Sequence, residues 1–299
     1  MSRQVVILGD PQGRYVQRLL NSAPAGILPK VAEYSSIETR LWGPVSNSNE
    51  RISLGGVSLN DGDIVLVRSM SRGSLESIVF RMDALAAMER QGILVYNPAR
   101  SLEFAIDKYL SLSILAANGF PTPATHVAEC CDQAVRAFES LGGDVVVKPL
   151  FGSEGRGLIR ISDIDHAVRV FRSLESLGGL IYQQAFIDHG GRDYRVLIIG
   201  HREWVIEREQ DNDWRTNVSR GGRCQRASLP PLVLDMARRA AERLGLFYAG
   251  IDLVQDPLTQ EFLVLEANGV PGWQGVASAF DQEDIEQEIW GDVMRRANA

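Results

Sequence analysis

The residues best suited to chemistry lie on two consecutive predicted strands near the end of the chain. Both strands are apolar, β-branched runs, and an Asp-Pro pair marks the turn between them. Asp252 interrupts the first run, while Glu266 and Asn268 end the second. Because side chains alternate between the two faces of a strand, Glu266 and Asn268 point to the same side. A turn centred on Thr259 places Asp252 opposite Glu266 on that side.

Three oxygen donors in this arrangement predict a site for a hard cation. Mg²⁺ takes carboxylate and amide oxygens as ligands, usually alongside water and substrate phosphates. The alternative is a hairpin that carries polar residues on its solvated face. Taken by itself, the hairpin favours that alternative. Residues elsewhere in the chain are needed to distinguish a metal site from a solvated strand face.

A glycine-rich loop between two further predicted strands is the second chemical feature. Lys148 ends the first strand, and Gly152, Gly155 and Gly157 follow it. A dinucleotide fingerprint needs a helix after such a loop and a P-loop needs Gly-Lys-Ser/Thr, and the chain has neither here. A glycine hairpin can still fold over phosphates and offer backbone N–H groups to them. A tight turn beside an edge-strand lysine explains the pattern about equally well.

Arginines gather along the sequence just before the two carboxylate strands. Arg195 and Arg208 lie on a predicted antiparallel pair of strands, and Arg215 and Arg220 lie in the polar loop that follows. Such a loop is usually only a surface loop. Its place in the chain nevertheless indicates local positive charge for a phosphorylated ligand.

Length and composition are those of a soluble globular protein with two or three subdomains. The 299 residues are 45% apolar and 23% charged, and the net charge of −7 argues against general nucleic-acid binding. Three cysteines make no disulfide framework, and four scattered histidines argue against a zinc enzyme. The longest apolar runs are strand-sized and the N-terminus lacks a signal-peptide pattern, so we expect no membrane association and a cytoplasmic location.

Apolar strands alternate with helices before a boundary near residue 98, which predicts a small parallel α/β layer with ligands beyond its strand carboxyl ends. The predicted strands there are 5–8, 63–67 and 93–97, with helices 14–21 and 76–90 and with loops or short edge strands over 33–60. Later predicted helices are 102–118, which carries Lys108, 132–141, 162–177 with Ser162 as N-cap, 231–244 and 284–296. Later predicted strands are 144–148, 158–161, 180–187, 193–199, 203–208, 249–256 and 261–268.

The order of these features resembles the ATP-grasp superfamily and, within it, the RimK-like carboxylate–amine (alpha-L-glutamate) ligases. The resemblance spans about 107–272 and rests on seven short motifs, which are specific only because they occur in the right order. They are Asp107-Lys108, Val147-Lys148-Pro149 with the loop 152–157, Gln184-Ala-Phe-Ile187, Asp193-Tyr-Arg195, Trp214-Arg-Thr-Asn217, Ala249-Gly-Ile-Asp252, and Glu266-Ala-Asn268 with Pro271-Gly272. It implies an α/β (α+β ATP-grasp) fold, with a Rossmann-like domain over 1–98 and two lobes, 99–185 and 186–299, that clasp ATP.

The resemblance also implies roles for individual residues. Implied nucleotide contacts are Lys108, Lys148, Gly152, Ser153, Gly155, Gly157, Gln183, Gln184, Ala185, Phe186, Ile187, Asp193, Arg215 and Asn217. Implied catalytic groups are Arg208, Arg195 and Lys148, and the implied ligands of Mg²⁺, or of Mn²⁺ in its place, are Asp252, Glu266 and Asn268. One departure matters, because Ala185 stands where the family commonly has a glutamate, and Gln183 or Gln184 could supply the contact instead.

The implied activity is ADP-forming amide-bond synthesis through an acyl phosphate. The resemblance points to addition of L-glutamate to a cofactor, such as a tetrahydromethanopterin-type pterin, or to a peptide or protein carboxylate. Trp214 and Trp273 could stack on a flat ring or pack against neighbouring helices. An ATP-grasp phosphotransferase and a non-catalytic ATP-binding module stay open as alternatives, and family habits allow a homo-oligomer.

Overall fold

The computed structural model describes residues 3–41, 50–69, 71, 73–152, 155–211 and 213–299. Its strands are β1 Val5–Leu8, β2 Lys30–Ala32, β3 Ile37–Leu41, β4 Glu50–Leu54, β5 Val57–Ser58, β6 Ile64–Val67, β7 Leu94–Tyr96, β8 Thr125–Ala128, β9 Val145–Lys148, β10 Ile159–Ile161, β11 Ile181–Ala185, β12 Arg192–Ile199, β13 Arg202–Glu209, β14 Arg223–Arg226, β15 Tyr248–Gln255 and β16 Phe262–Asn268. Its α-helices are α1 Arg14–Asn21, α2 Leu75–Arg90, α3 Ala99–Ile106, α4 Lys108–Ala117, α5 Cys131–Ser140, α6 Ile164–Ser176, α7 Pro231–Arg243, α8 Gln274–Ala279 and α9 Ile285–Ala297. The predicted α/β class is confirmed.

The first sheet is parallel and has the strand order β2-β1-β6-β7. Strands β1 and β6 are buried at every position, as expected for uninterrupted apolar runs in a sheet that is covered on both faces. Val6 and Leu8 share one hydrophobic cluster with α2. Val5 and Ile7 share another with α1, with α9 and with the largest sheet of the molecule. The C-terminal part of the chain therefore packs directly on this first sheet.

The second sheet is antiparallel, with the order β10-β9-β11-β8. Helices α5 and α6 cover one of its faces, where Phe138 and Phe171 lie in the core with Val145 and Val147. Burying a side chain of this size contributes about 1.5–3 kcal/mol. Since strand residues alternate in direction, Lys148 at the end of β9 is left on the opposite face. The glycine loop joins β9 to β10 as an antiparallel hairpin, as predicted.

The third sheet has the order β14-β13-β12-β15-β16 and carries the predicted metal-site strands at one edge. One of its faces packs on α7. Along the other face, the side chains are apolar at one end of the strands and charged at the other end. On β12, for example, Leu197 and Ile199 lie in the core shared with the first sheet. Two and four residues earlier, Arg195 and Asp193 continue the same face with charged groups.

Two sequence predictions about helices are wrong. The single helix predicted over 102–118 is two helices, because the backbone of Asp107 is extended and its carboxylate accepts the N–H of Leu110 as the N-cap of α4. Lys108 is thereby the first residue of a helix. The N-cap of α6 is Asp163 and not Ser162, since the Asp163 carboxylate accepts the N–H of His166.

The remaining predicted elements match within a few residues. The short helix α8 and the strands β2, β8 and β14 were not predicted, and β14 lies in a stretch that was expected to be a polar loop. The predicted loops and edge strands of 33–60 include a small sheet with the order β3-β4-β5, while 42–49 lie outside the described residues. None of the described helices is long and apolar enough to cross a membrane.

Candidate active site

A cleft lies between the second sheet, on the face opposite α5 and α6, and the charged end of the third sheet. Its lining residues come from β9, the end of the glycine loop, β11, the segment 185–187 that ends β11 (the hinge) and His189 after it, β12, β13, the loop before β14 and the last two strands. They are Val146, Lys148, Leu158, Gln184, Ala185, Phe186, Ile187, His189, Asp193, Arg208, Trp214, Arg215, Thr216, Asn217, Asp252, Leu265 and Glu266. Most of the predicted site residues are thus brought together in one place.

Strands β15 and β16 pair in the register that the sequence predicts for Asp252 and Glu266. Asp252 lies directly across from Glu266, and Gly250 lies across from Asn268. The register shifts by one residue towards the turn, so that Leu265 is the extra residue of a β-bulge. The bulge, and not a symmetric turn alone, brings Asp252 opposite Glu266.

Asp252 is held by two arginines of the same sheet. Arg195 Nε and Nη2 each donate to one of its carboxylate oxygens at 2.6 Å, and Arg208 Nη2 lies 3.2 Å from Oδ2. Burial raises the pKa of this carboxyl group, but the two guanidinium groups outweigh burial and hold the pKa below its ordinary value. Asp252 is therefore an anion throughout the neutral range.

Arg208 is only 2% exposed and bridges two acidic residues. Its Nε and Nη2 also donate to the carboxylate of Asp193, at 2.7 and 2.5 Å. Burial lowers the pKa of the guanidinium, while Asp193 and Asp252 raise it by more. Arg208 thus carries a fixed positive charge at the centre of the cleft wall.

Two lysines approach Glu266 from the other side of the cleft. Lys108 Nζ lies 3.7 Å from Glu266 Oε1 and donates to the carbonyl of Gly152 at 2.6 Å. Lys148 Nζ donates to Gln184 Oε1 at 2.6 Å. Burial lowers the pKa of Lys148 to about 8; Glu266 opposes this shift, whereas Lys108 adds to it. Such a perturbed lysine in a cleft is typical of a functional site.

The glycine loop has the backbone that its sequence predicts. Gly152, Gly155 and Gly157 have φ of +149°, +68° and +75°, conformations that other residues rarely adopt. A Cβ on Gly157 would lie 3.3 Å from the Pro149 ring. The predicted contact residue Ser153 lies outside the described residues.

The two glutamines before the hinge point in opposite directions, because neighbours on a strand face opposite sides of the sheet. Gln184 lines the cleft, and its Nε2 donates to Thr125 Oγ1 at 2.9 Å. Gln183 is fully buried on the other side, where its Nε2 donates to the Ala134 carbonyl at 2.7 Å. The structure therefore does not bring Gln183 to the cleft, and Gln184 alone lies beside Ala185.

At the hinge itself, two of the three backbone amides are already bonded. The N–H of Ala185 donates to the Ala124 carbonyl, and the N–H of Phe186 donates to the Asp144 carbonyl, at 2.8 and 2.9 Å. The N–H of Ile187 donates to no acceptor among the described residues. It is the hinge amide left for a ligand.

The polar loop before β14 closes the far end of the cleft. Arg215 is held by Asp213, with its Nε 2.9 Å from Oδ1, and Asn217 precedes a 3₁₀ turn, Val218–Arg220. Trp214 packs edge-on against Phe186 with ring centroids 5.8 Å apart. Trp273, by contrast, is fully buried against Tyr15 and is not placed to stack on a substrate.

Sequence reasoning missed other residues at or near the cleft. His189, Thr216 and Leu265 line it; Thr216 lies within the motif 214–217 but was given no role, and no motif marks the other two. Burial lowers the pKa of His189, so that its imidazole is neutral at neutral pH. Arg68, at the end of β6, was missed as well, although a charged residue directly after a fully apolar strand could have drawn notice.

The chain matches the model of the RimK-like ATP-grasp domain over residues 105–291. The tetrahydromethanopterin:alpha-L-glutamate ligase of Methanosarcina acetivorans is 26% identical over 309 residues, which cover 94% of this chain and 95% of that relative. A probable alpha-L-glutamate ligase of Legionella pneumophila is 31% identical over 260 residues, which cover 83% and 84%. The chain therefore belongs to the RimK-like ATP-grasp family. It is an ATP-dependent ligase, and its family uses ATP with Mg²⁺.

Solved structures of ATP-grasp ligases have a similar fold. The ATP-grasp ligase PsnB, complexed with a phosphomimetic variant of its minimal precursor, Mg and ADP, superposes with a TM-score of 0.72 at 20% identity over 99% of both chains. At that level of identity the likeness shows the fold alone.

Proposed function

We propose that this protein joins a substrate carboxylate to the amine of an amino acid, with L-glutamate the first choice, in the cleft between residues 99–185 and 186–299. The observation that carries this proposal is the convergence of three cations, Lys108, Lys148 and Arg208, on the carboxylates of Asp252 and Glu266. Cations that neutralise a triphosphate and anions that hold its metal are both needed for phosphoryl transfer.

The chemistry proceeds in two steps. A carboxylate oxygen attacks the γ-phosphorus of ATP, which forms an acyl phosphate and breaks the bond to the β-phosphate, so that ADP leaves. The amine nitrogen then attacks the acyl carbon, which forms the amide, releases inorganic phosphate and gives up a proton. Arg208 and Lys148 stabilise the charge on the transferring group. The glycine loop, with Gly152, Gly155 and Gly157, closes over the phosphates and excludes the water that would hydrolyse the acyl phosphate.

The nucleotide is held along the length of the cleft. Lys108 and Lys148 contact its phosphates, and the hinge at Ala185, Phe186 and Ile187 meets the adenine. Gln184 replaces the polar contact that Ala185 cannot make. The ribose end lies towards the remaining polar residues of the cleft, which are Asp193, Arg215 and Asn217.

The donor set at the β15–β16 strands fits Mg²⁺. Asp252 and Glu266 offer carboxylate oxygens, and Asn268 donates its Nδ2 to the Gly250 carbonyl at 3.4 Å, which leaves Oδ1 as an acceptor. Among the described residues there is no group of three or more His, Cys, Asp and Glu that could hold a metal, so the site depends on the amide of Asn268. When bound there, Mg²⁺ neutralises phosphate charge, and Mn²⁺ is a suitable substitute.

The choice of substrates follows the relatives. Tetrahydromethanopterin and L-glutamate are named for the Methanosarcina ligase, and alpha-L-glutamate for the Legionella protein. For this chain, we propose L-glutamate as the amine and either a pterin-type cofactor or a peptide carboxylate as the acceptor. The protein acts without nucleic acid or membrane, and a homo-oligomer is compatible with the proposal.

An ADP-release screen tests this function. L-Glutamate is paired with candidate carboxylates in the presence of ATP and Mg²⁺, and the product mass is measured. We expect ADP release that requires both partners, with a mass gain equal to glutamate minus water. A stable phosphorylated product formed without amine would indicate a phosphotransferase, and ATP binding without turnover across the screen would indicate a binding module.

A further inference from the structure

Arg68 is a buried cation without an acidic partner. It follows β6 directly, it is 4% exposed, and it forms no ion pair with a carboxylate among the described residues. Its Nη2 donates to the Pro271 carbonyl at 3.3 Å. Its Nε and Nη1 are buried and have no hydrogen-bond acceptor in the described part of the chain. Buried polar groups are nearly always paired, so unpaired donors at a charged group call for a functional explanation.

Three aromatic rings surround the guanidinium group. Its central carbon lies 4.7 Å from the ring centroid of Trp273, 5.2 Å from that of Tyr15 and 5.5 Å from that of Tyr248. The rings attract the positive charge but accept no conventional hydrogen bond from it. Trp273 and Tyr248 are almost fully buried, whereas Tyr15, on the second residue of α1, is only half-buried. Solvent is therefore nearest on the Tyr15 side.

The position of Arg68 connects it to the strands that carry the proposed metal ligands. It lies beyond the carboxyl end of a parallel strand, where ligands of open α/β sheets bind. Its contact residue Pro271 comes three residues after Asn268, and a Cβ on Gly250, the partner of Asn268, would lie 2.9 Å from Pro271. The Tyr248 hydroxyl donates to the same Pro271 carbonyl at 2.5 Å.

The same group of residues reaches the arginines of the cleft. A Cβ on Gly250 would lie 3.6 Å from Arg195 Nε as well as 2.9 Å from Pro271, so the residue that accepts from Arg68 lies close to Arg195. Arg195 is the bidentate partner of Asp252. Arg68 therefore stands one side chain away from the row of charges that holds the reacting groups.

We propose that Arg68 binds a substrate carboxylate other than the one that reacts, entering from the Tyr15 side between the first sheet and the β15–β16 strands. This assignment rests on the proposed ligase function. A guanidinium group suits a carboxylate because one of its two unpaired donors can act in parallel with the second hydrogen of Nη2, which gives two charge-assisted hydrogen bonds. Such a residue selects substrates that carry a second acidic group, and L-glutamate has two carboxylates besides its reacting amine.

The carboxylate could belong to the amine substrate or to the acceptor, and ligands that differ by one group separate these sources. L-Glutamine lacks the side-chain carboxylate, L-isoglutamine lacks the α-carboxylate, and glutarate has two carboxylates but no amine. Dissociation constants are measured by calorimetry on the full chain with Mg²⁺ and a non-hydrolysable ATP analogue. The variants are Arg68→Met, which keeps an unbranched apolar stem but removes the guanidinium group, and Arg68→Lys, which keeps the charge.

We expect the wild type to bind L-glutamate about tenfold to a hundredfold more tightly than one of the two amides, as for a hydrogen bond to a charged group. Arg68→Met should bind L-glutamate as weakly as that amide, so that the discrimination disappears. If the carboxylate belongs to the acceptor, glutarate shows this dependence on Arg68 and L-glutamate does not. Thermal melts check the folding of each variant.

The assignment is overturned if L-glutamate and glutarate bind the wild type no more tightly than they bind Arg68→Met. If Arg68→Met fails to fold, Arg68→Lys decides. Its ammonium lacks the planar pair of donors, so it must lose affinity severalfold, and unchanged affinity contradicts the assignment. All variants could bind the ATP analogue normally and show no change in affinity for L-glutamate or glutarate. That result contradicts the role of Arg68 only, because the ligase function is tested separately by ADP release.

Discussion

Arg195 and Asp252 form a bidentate ion pair, and Asp252 lies directly across from Glu266 on the neighbouring strand. One row across three strands therefore carries a cation followed by two anions. Under the proposed function the two anions hold the metal, and Lys108, whose Nζ lies 3.7 Å from Glu266 Oε1, brings a phosphate-binding cation to the Glu266 end of the row. The same row explains why Asp252 stays ionised although it is buried.

Glu266→Gln is predicted to lose on the order of a hundredfold or more in turnover, because it removes a charged oxygen beside the transferring phosphate. Acyl-phosphate formation, trapped with hydroxylamine, should fall by the same factor. Glu261→Ala is the matched control, since Glu261 is an exposed acid at the turn of the same hairpin. Near-normal Mg²⁺-dependent turnover in Glu266→Gln would remove this residue from the site.

Arg208→Ala is predicted to lower turnover on the order of a hundredfold while ATP still binds. It also leaves the buried carboxylate of Asp193 without its arginine partner, whereas Asp252 keeps Arg195, and this costs about 3–5 kcal/mol in the free energy of unfolding. Arg208→Lys keeps the charge and separates the two effects. An unchanged rate in a folded Arg208→Ala enzyme would exclude a role in phosphoryl transfer.

ATP binding should weaken as the pH rises through about 8. The lowered pKa of Lys148 means that the free enzyme loses this positive charge near pH 8, whereas bound phosphates favour the ammonium form. Below pH 8 the lysine is already protonated and affinity is at its full value. Calorimetry at pH 8.5 in buffers of different ionisation enthalpy should show proton uptake on binding. Lys148→Arg should abolish both the uptake and the alkaline loss, and their persistence would assign them to another group.

Gln183 and Gln184 provide a matched pair of substitutions. Gln184→Ala should weaken ATP binding about tenfold, because the hydrogen bond that positions Lys148 is lost. Gln183→Ala should leave ATP affinity within about twofold and lower stability by about 1–3 kcal/mol, since it leaves the buried Ala134 carbonyl without the donor it has now. Equal effects of the two substitutions on ATP affinity would contradict the opposite orientation of these side chains.

Asn97 connects the first sheet to the strands of the site. Its Nδ2 donates to the carbonyls of Tyr248 and Gly269, both at 2.6 Å, and its Oδ1 accepts the N–H groups of Phe247 and Tyr248, at 2.7 and 2.9 Å. Asn97→Ala leaves these buried groups unpaired and should cost at least about 3 kcal/mol in unfolding free energy, measured by denaturant titration. Asn118→Ala, at the exposed end of α4, is the control and should cost less than about 1 kcal/mol.

Local chemistry made much of the fold and the site predictable. Apolar runs placed ten of the sixteen described strands, and alternation along the strands placed Glu266 and Asn268 on one face. Asp252 opposite Glu266 was also predicted, but the bulge at Leu265 that completes this pairing leaves no mark in the sequence. Likewise, the sequence pattern of a helix does not show that an aspartate within it caps a new helix. Asp107 is such a residue.

What could not be predicted depends on contacts between distant parts of the chain. The bonds of Gln183 to α5 and of Arg208 to Asp193 are set by strand register and by sheet packing. Arg68 meets Pro271 across 203 positions of sequence, and only the folded chain brings them together. The burial of Trp273 has the same origin, because its neighbour Tyr15 comes from the first helix.

The most direct test of the central claim follows one oxygen atom. With the substrate pair found by the ADP-release screen, the acceptor carboxylate is labelled with oxygen-18 and the released inorganic phosphate is analysed by mass spectrometry. An acyl-phosphate ligase transfers one carboxylate oxygen to phosphate for each amide formed, so we expect one labelled oxygen in each phosphate released. Amide formation that leaves the phosphate unlabelled would contradict the mechanism.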